Sequence, residues 1–180
     1  MICPRLLIVS ALGVISAGAA PAETLPENLA GGAKASASSR FSASYRPELA
    51  IDGHLAGSDW ATKGTPHGQF TLEWEEPVEA AQVVYWARMT AVLLESFKDY
   101  EVYLDDRPAP VARGRLERRR GPQTINFTRR KVSKLRIAFL SSYPDSPNPG
   151  AAEIGVYATQ AAEKQWAAAA LRTPVDDRSE

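Results

Sequence analysis

The chain has 180 residues, with 21 basic and 21 acidic side chains and a formal net charge of zero. Its single cysteine, Cys3, stands at the very start, which excludes a disulfide framework and thiol chemistry for the body of the protein. There is no phosphate-binding glycine loop, G-x-S-x-G elbow, H-E-x-x-H motif or Cys/His cluster, so the common nucleotide, hydrolase and zinc chemistries have no foothold.

In chain order, Arg5 precedes an apolar run over residues 6–15, and small residues follow to Ala20-Pro21-Ala22. A positive start, a short apolar core and an A-x-A site predict a secretory signal peptide over residues 1–22. The run is too short to span a bilayer, so no membrane anchor is expected after cleavage. The expected location is the periplasm or the extracellular space. About 158 residues then remain (180 minus 22), enough for one domain with its own core.

Residues 33–39 are small and loosely alternating and read as a first or edge strand. Residues 40–47 (R-F-S-A-S-Y-R-P) read as a loop carrying two aromatics, Phe41 and Tyr45. Leu49, Ala50 and Ile51 read as a strand end running into the turn pair Asp52-Gly53, and Trp60 follows seven residues later. This loop carries oxygens on Asp52, Ser58 and Asp59. Taken alone it reads either as an Asp-Gly turn before a core tryptophan or as a wrap for a hard cation.

Residues 69–74 alternate strictly, with Phe70, Leu72 and Trp74 on one face, and predict a half-buried strand. Glu75-Glu76-Pro77 is expected to turn it. Residues 82–88 (Q-V-V-Y-W-A-R) predict a central strand, and residues 99–105 alternate again up to a turn at Asp105-Asp106-Arg107-Pro108. Short strands are expected at 111–113, 124–127, 133–140 and 152–158, with a proline-rich loop over 141–150. About eight short strands and no convincing helix before residue 159 predict an antiparallel sandwich or jelly roll. Residues 159–172 are Ala-rich and predict a terminal helix or partly helical tail, followed by a disordered end.

Two histidines, His54 and His67, fall in loops, and the carboxylate pairs sit at turns. Nothing sets two acids across a cleft, so no enzymatic role is expected. Charge is unevenly spread: residues 107–136 hold eleven basic side chains and one acid, Glu117. Within that stretch the run from Arg113 to Arg120 (R-G-R-L-E-R-R-R) reads as a solvated hairpin surface or a polyanion site. No aromatics interleave with it, which disfavours nucleic acid.

A set of motifs runs in order through the body. They are N-L-A at Asn28, A-S-A-S-S at Ala35, L-A-I-D-G…S-D-W from Leu49 to Trp60, and Q-F-T-L-E-W at Gln69. D-Y-E-V-Y at Asp99, K-L-R-I at Lys134 and A-E-I-G-V-Y at Ala152 complete it. This set resembles the discoidin family, also called the coagulation factor V/VIII type C domain. Its bacterial members include galactose-binding-like carbohydrate-binding modules. The resemblance implies an eight-stranded antiparallel jelly-roll sandwich over residues 23–158, with residues 159–180 as a helical or disordered tail.

The resemblance also implies a structural calcium ion. Its ligands would be the carbonyls of Leu49, His54 and Ala152, the Asp52 carboxylate, an oxygen of Ser58 and one of Glu153. About six oxygens suit calcium. In this family ligands bind at loops on one end, here residues 40–47, 61–68, 88–97 and 141–150. A sugar site needs an aromatic platform and a few polar groups to orient hydroxyls. That points to Phe41, Tyr45, Arg46, His67, Arg88 and Tyr143. The unusually apolar stretch 89–94 resembles loops that touch membranes in some members. The expected function is an exported, non-catalytic module recognising a carbohydrate. The alternative is a cell-surface interaction or adhesion domain binding an envelope protein through the same loops or the tail around Trp166.

Overall fold

The computed structural model describes residues 26–57, 59–89 and 94–170. The expected leader, Ser58, the loop tip 90–93 and the chain from 171 onward lie outside the described residues. Eight strands and one α-helix follow in order: β1 (Lys34–Ala37), β2 (Trp60–Ala61), β3 (Gly68–Met89), β4 (Leu94–Glu95), β5 (Asp99–Leu104), β6 (Ala112–Arg115), β7 (Pro122–Phe139), β8 (Gly150–Tyr157) and α1 (Glu163–Ala170).

All pairings are antiparallel, and β2-β8-β3-β7-β5-β6 is the path of neighbours, with β1 and β4 also on β3. Two long strands, β3 and β7, run through both layers of the sandwich. In one layer, residues 68–73 of β3 pair with β1 and with residues 134–139 of β7, which in turn pair with β5. In the other, residues 82–87 of β3 pair with β8, and residues 78–86 pair with residues 122–132 of β7.

The expected turn at Glu75-Glu76-Pro77 is therefore a bend inside one continuous strand. Residues 74–77 of β3 stand opposite Ser133 alone, an extended bulge. Pro77 has no N–H to give a ladder, and a bulge is where a strand accommodates it. A second bulge on the partner strand sets residues 127–129 opposite Ala81 alone. The segments expected as separate strands at 124–127 and 133–140 are accordingly the two limbs of β7. The strand end expected at 49–51 is a 3-10 turn, Pro47–Ala50, with Pro47 in its first turn and Arg46 extended before it. Proline's fixed φ suits the first helical position and disfavours a helical residue before it.

Aromatic rings from both layers meet in the core. Trp60 lies 5.1 Å from Phe70, Tyr85 lies 5.7 Å from Phe139, and Phe97 stacks on Phe139 at 4.0 Å. Their polar atoms are satisfied: the Trp60 indole donates to the Ser39 carbonyl at 2.8 Å and the Tyr85 hydroxyl to the Gly150 carbonyl at 2.6 Å. Gly150 has no room for a side chain, since a Cβ would sit 1.8 Å from the Trp60 carbonyl oxygen. Gly150→Ala is expected to part β2 from β8 and lower stability by roughly 2 kcal/mol, the usual scale of overpacking, read as a fall in the denaturant midpoint.

Every residue of β8 is buried, on both faces. The inner face meets the aromatic core, and α1 covers part of the outer surface of this layer. Trp166 lies 4.0 Å from Tyr157 and packs with Val84. Gln82, fully buried on β3, ties the segment down with both ends of its amide. Its oxygen accepts from the Trp166 indole at 3.0 Å and from Ala161 N at 3.2 Å, and its nitrogen donates to Ala161 O at 2.8 Å. The helix expected beyond the sandwich thus packs on it. Among the described residues no helix is long and apolar enough to cross a membrane.

Candidate functional site

Backbone hydrogen bonds bring the predicted loops to one end of the sandwich. Phe41 N donates to Ala61 O at 2.7 Å, and Thr62 N to Pro149 O at 3.0 Å. Gly64 N donates to Asn148 Oδ1 at 3.0 Å, while Asn148 N donates to Glu95 Oε1 at 3.2 Å. Each loop is held by its neighbours, and their exposed side chains share one surface.

The surface carries an aromatic pair. Phe41 is 45% exposed and meets Tyr45 edge-to-face, with centroids 5.4 Å apart. Behind Tyr45, the Arg88 guanidinium lies 5.1 Å from the ring centre. Arg88 is buried near the end of β3, opposite Glu95 of β4, and its Nη1 pairs with Glu95 Oε2. Its Nε lies 2.8 Å from Asp59 Oδ2, an ion pair without the alignment of a hydrogen bond. Burial pushes the Asp59 carboxyl above its ordinary range, and Arg88 opposes the rise. One cation between two carboxylates is a fixed post, and Tyr45 leans on it.

The remaining predicted residues are spread around this patch. His67 is exposed and lines a cleft of about 450 Å³ with Ser38, Ser39, Gln69 and the half-exposed Leu140. Arg46 is exposed and 3.8 Å from Glu48. The Tyr143 hydroxyl donates to the Leu116 carbonyl at 2.9 Å, so it anchors its loop. Glu95 and Asn148 went unnoticed in the sequence because each is a lone polar residue in an irregular stretch. Asp59 was legible only as a loop oxygen, and the structure gives it to Arg88.

A second cluster joins the Asp52 loop to β8. Gly53 N donates to Glu153 Oε2 at 3.3 Å, across one hundred residues. Asn28 Nδ2 donates to Glu153 Oε1 at 3.3 Å, and Asn28 Oδ1 accepts from Ala30 N and Val156 N at 3.1 and 3.0 Å. Glu153 is 5% exposed, and its carboxyl is pushed up to about 8, mainly by burial and further by the Asp52 charge. Asp52 Oδ1 accepts from His54 N at 2.9 Å and lies 3.3 Å from His54 Nδ1. Leu49 lies in the Pro47–Ala50 turn, which packs against β8, and Ala152 is buried in β8 beside Glu153. Ser58 lies outside the described residues. Among the described residues no three or more His, Cys, Asp or Glu side chains gather as a metal site. A cation here would draw on two carboxylates and backbone carbonyls, an oxygen set that suits calcium and not zinc. A buried carboxylate facing a second acid is the arrangement a divalent cation relieves, so the residues present fit the ion.

The run from Arg113 to Arg120 is largely neutralised. Arg115 lies 3.2 Å from Asp99, Arg118 lies 3.3 Å from Asp145, and Arg119 contacts Glu117 at 2.8 Å and Glu163 at 2.5 Å.

The family described as Domain of unknown function (DUF7402) matches residues 28–157. No curated protein matches the chain. Among solved structures, the chain is similar to CpGH89CBM32-5 from Clostridium perfringens, in complex with GalNAc-beta-1,3-galactose. Identity is 22%, 73% of this chain and 99% of that one are covered, and the TM-score is 0.63. A family 32 carbohydrate-binding module from C. perfringens NanJ, in complex with galactose, gives 18% identity over 74% and 99% of the two chains, at 0.63. Chitosan-binding module 1 from the chitosanase/glucanase of Paenibacillus sp. IK-5 gives 20% over 73% and 98%, at 0.56. These likenesses establish the fold of this chain, an antiparallel β-sandwich shared with those modules.

Proposed function

The chain belongs to the DUF7402 family over residues 28–157, and from that membership and its discoidin-type sandwich we propose a non-catalytic module that binds carbohydrate through the loop end. The observation that carries the proposal is the Phe41–Tyr45 pair at the converging loops, Phe41 exposed and Tyr45 half-buried and braced from behind by the buried Arg88. An exposed aromatic face offers the apolar side of a sugar ring a surface to shed water against. Ser38, Ser39, Gln69 and His67, grouped nearby, offer donors and acceptors for hydroxyls. The carbohydrate-binding modules with the same fold support the reading. The leader sequence at residues 1–22 supports export.

A glycan array followed by calorimetry tests the proposal, with galactose, GalNAc-beta-1,3-galactose and chitosan oligomers as the first probes. Phe41→Ala and Tyr45→Ala are each expected to weaken binding about tenfold, which is about 1.4 kcal/mol, and to leave the melting temperature nearly unchanged for the exposed Phe41. Absence of binding to every arrayed glycan would overturn it. Capture of an envelope protein through the same two aromatics would replace it with the adhesion reading.

The same proposal gives the Asp52–Glu153 clasp a structural calcium. The Leu49, His54 and Ala152 carbonyls and the Asp52 and Glu153 carboxylates would hold it, with Ser58 as the sixth donor implied by the resemblance. The ion would supply positive charge to a buried acidic pair and take no part in binding sugar.

A further inference from the structure

The arginine-rich half of the chain is mostly engaged with acids or rings. Beyond Arg115, Arg118 and Arg119, Arg129 lies 3.1 Å from Glu79, and Arg136 lies over the Tyr103 ring at 4.1 Å. Two arginines without such a contact share a cleft. Arg107, in the β5–β6 loop, and Arg130, on β7, line the same cleft of about 610 Å³, together with Pro108, Pro110, Val111 and Thr128. Among the described residues neither has an acidic partner.

The acids beside them are turned elsewhere. Asp105, whose φ of 52° lets the turn fold back on itself, accepts from Ser133 N and Lys134 N at 3.0 and 3.2 Å. Asp106 lies 3.7 Å from Lys134 Nζ. The cleft is thus left with two guanidinium groups, a threonine hydroxyl and a proline-stiffened wall. The β5–β6 loop follows Leu104, whereas Asp99 at the other end of β5 abuts the candidate sugar loops through Ser141. The two sites therefore lie at opposite ends of the sandwich.

We infer that this cleft is a second site, for an oxyanion group carried on a polysaccharide, a sulfate or phosphate ester. The guanidinium fork pairs with two oxygens of such a group at once, and two forks in one cleft suit a tetrahedral oxyanion with several oxygens to share. The volume exceeds what a bare anion needs and falls in the range that holds a sugar ring with its ester. With zero net charge on the chain, the attraction is local and falls with added salt. The site stands independently of the aromatic patch.

The test is retention of the full chain on heparin–agarose at low salt, with a binding titration against soluble heparin. Arg107→Gln with Arg130→Gln is expected to abolish retention and weaken binding at least about tenfold. Arg115→Gln with Arg118→Gln, which removes equal charge, is expected to leave both nearly unchanged. All four side chains are on the surface, and unchanged melting temperatures verify that the variants fold. Inorganic phosphate and inorganic sulfate, compared at equal ionic strength with sodium chloride, show whether the oxyanion itself is recognised. Desulfated heparin shows whether the ester is required. Flow-through of the unmodified protein, equal loss in the control pair, or equal retention on desulfated resin would overturn the inference.

Discussion

Calcium is expected to raise the melting temperature of the chelator-treated protein by about 5–10 °C when present at roughly a hundred times its dissociation constant, and Asp52→Ala to remove the rise. The reasoning starts from Glu153. Its folded-state pKa, raised to about 8 from 4.5, means the metal-free fold prefers the protonated acid. Between those two values the folded chain binds more protons than the unfolded one. The contribution to stability is therefore fully present below about pH 4.5 and is lost as pH rises through 8. The loss amounts to on the order of 5 kcal/mol, taking about 1.4 kcal/mol per unit. A bound cation reverses the preference, because it requires the carboxylate. The calcium-induced rise should thus grow from pH 5 to pH 8, and Glu153→Gln should abolish both the rise and this share of the pH dependence. Melting curves with and without chelator at three pH values decide it. An unchanged curve on chelation removes calcium from the account.

Trp166→Ala is expected to cost about 3–5 kcal/mol, the range for deleting a buried indole. The helix that carries it has eight described residues, Glu163–Ala170, and a helix of that length does not persist without packing. Losing the ring uncovers Tyr157 and Val84 and deprives the buried Gln82 oxygen of the indole N–H, leaving Ala161 N as its donor. Trp166→Phe separates the two contributions, since it keeps most of the apolar contact and drops the N–H; about 1–2 kcal/mol is expected there. A chain ending at residue 158 should fare as badly as Trp166→Ala. Urea unfolding of the three variants measures this, and midpoints equal to the unmodified protein's would show that the helix merely rests on the sheet.

Period-two alternation made Phe70, Leu72, Val102, Leu104, Leu135 and Ile137 legible as inward-facing residues, and all six are buried. The bend at residues 74–77 was not legible, because Glu-Glu-Pro has the composition of a turn whether the chain reverses or bulges. The difference lies in β7, more than fifty residues away. Distance also hid the role of Asn28: its motif was recognisable, but its three hydrogen bonds include one to Glu153 and one to Val156. Pairing of the Asp52 loop with Glu153 was available only through family resemblance, and the structure brings those segments together. At the sugar end Phe41 and Tyr45 stood out as loop aromatics. The trio of buried Arg88 and Glu95 with half-buried Asp59 did not, because a charged residue carries no sign of its partners in its own local sequence. The tail's helical propensity was visible in its alanines, and its docking through Gln82 was not.

β8 sits between β2 and β3 and meets a side chain 128 residues upstream of it. Until that strand has been synthesised, β2 lacks its neighbour and Asn28 lacks an acceptor and a donor from the far end of the chain. The order of assembly is set accordingly: the β3–β7 limbs can zip first, and closure waits for the last strand. Contacts of such long sequence separation slow folding. A chain that stops short of residue 150 therefore lacks the strand that joins β2 to β3, and its sheet is left open there.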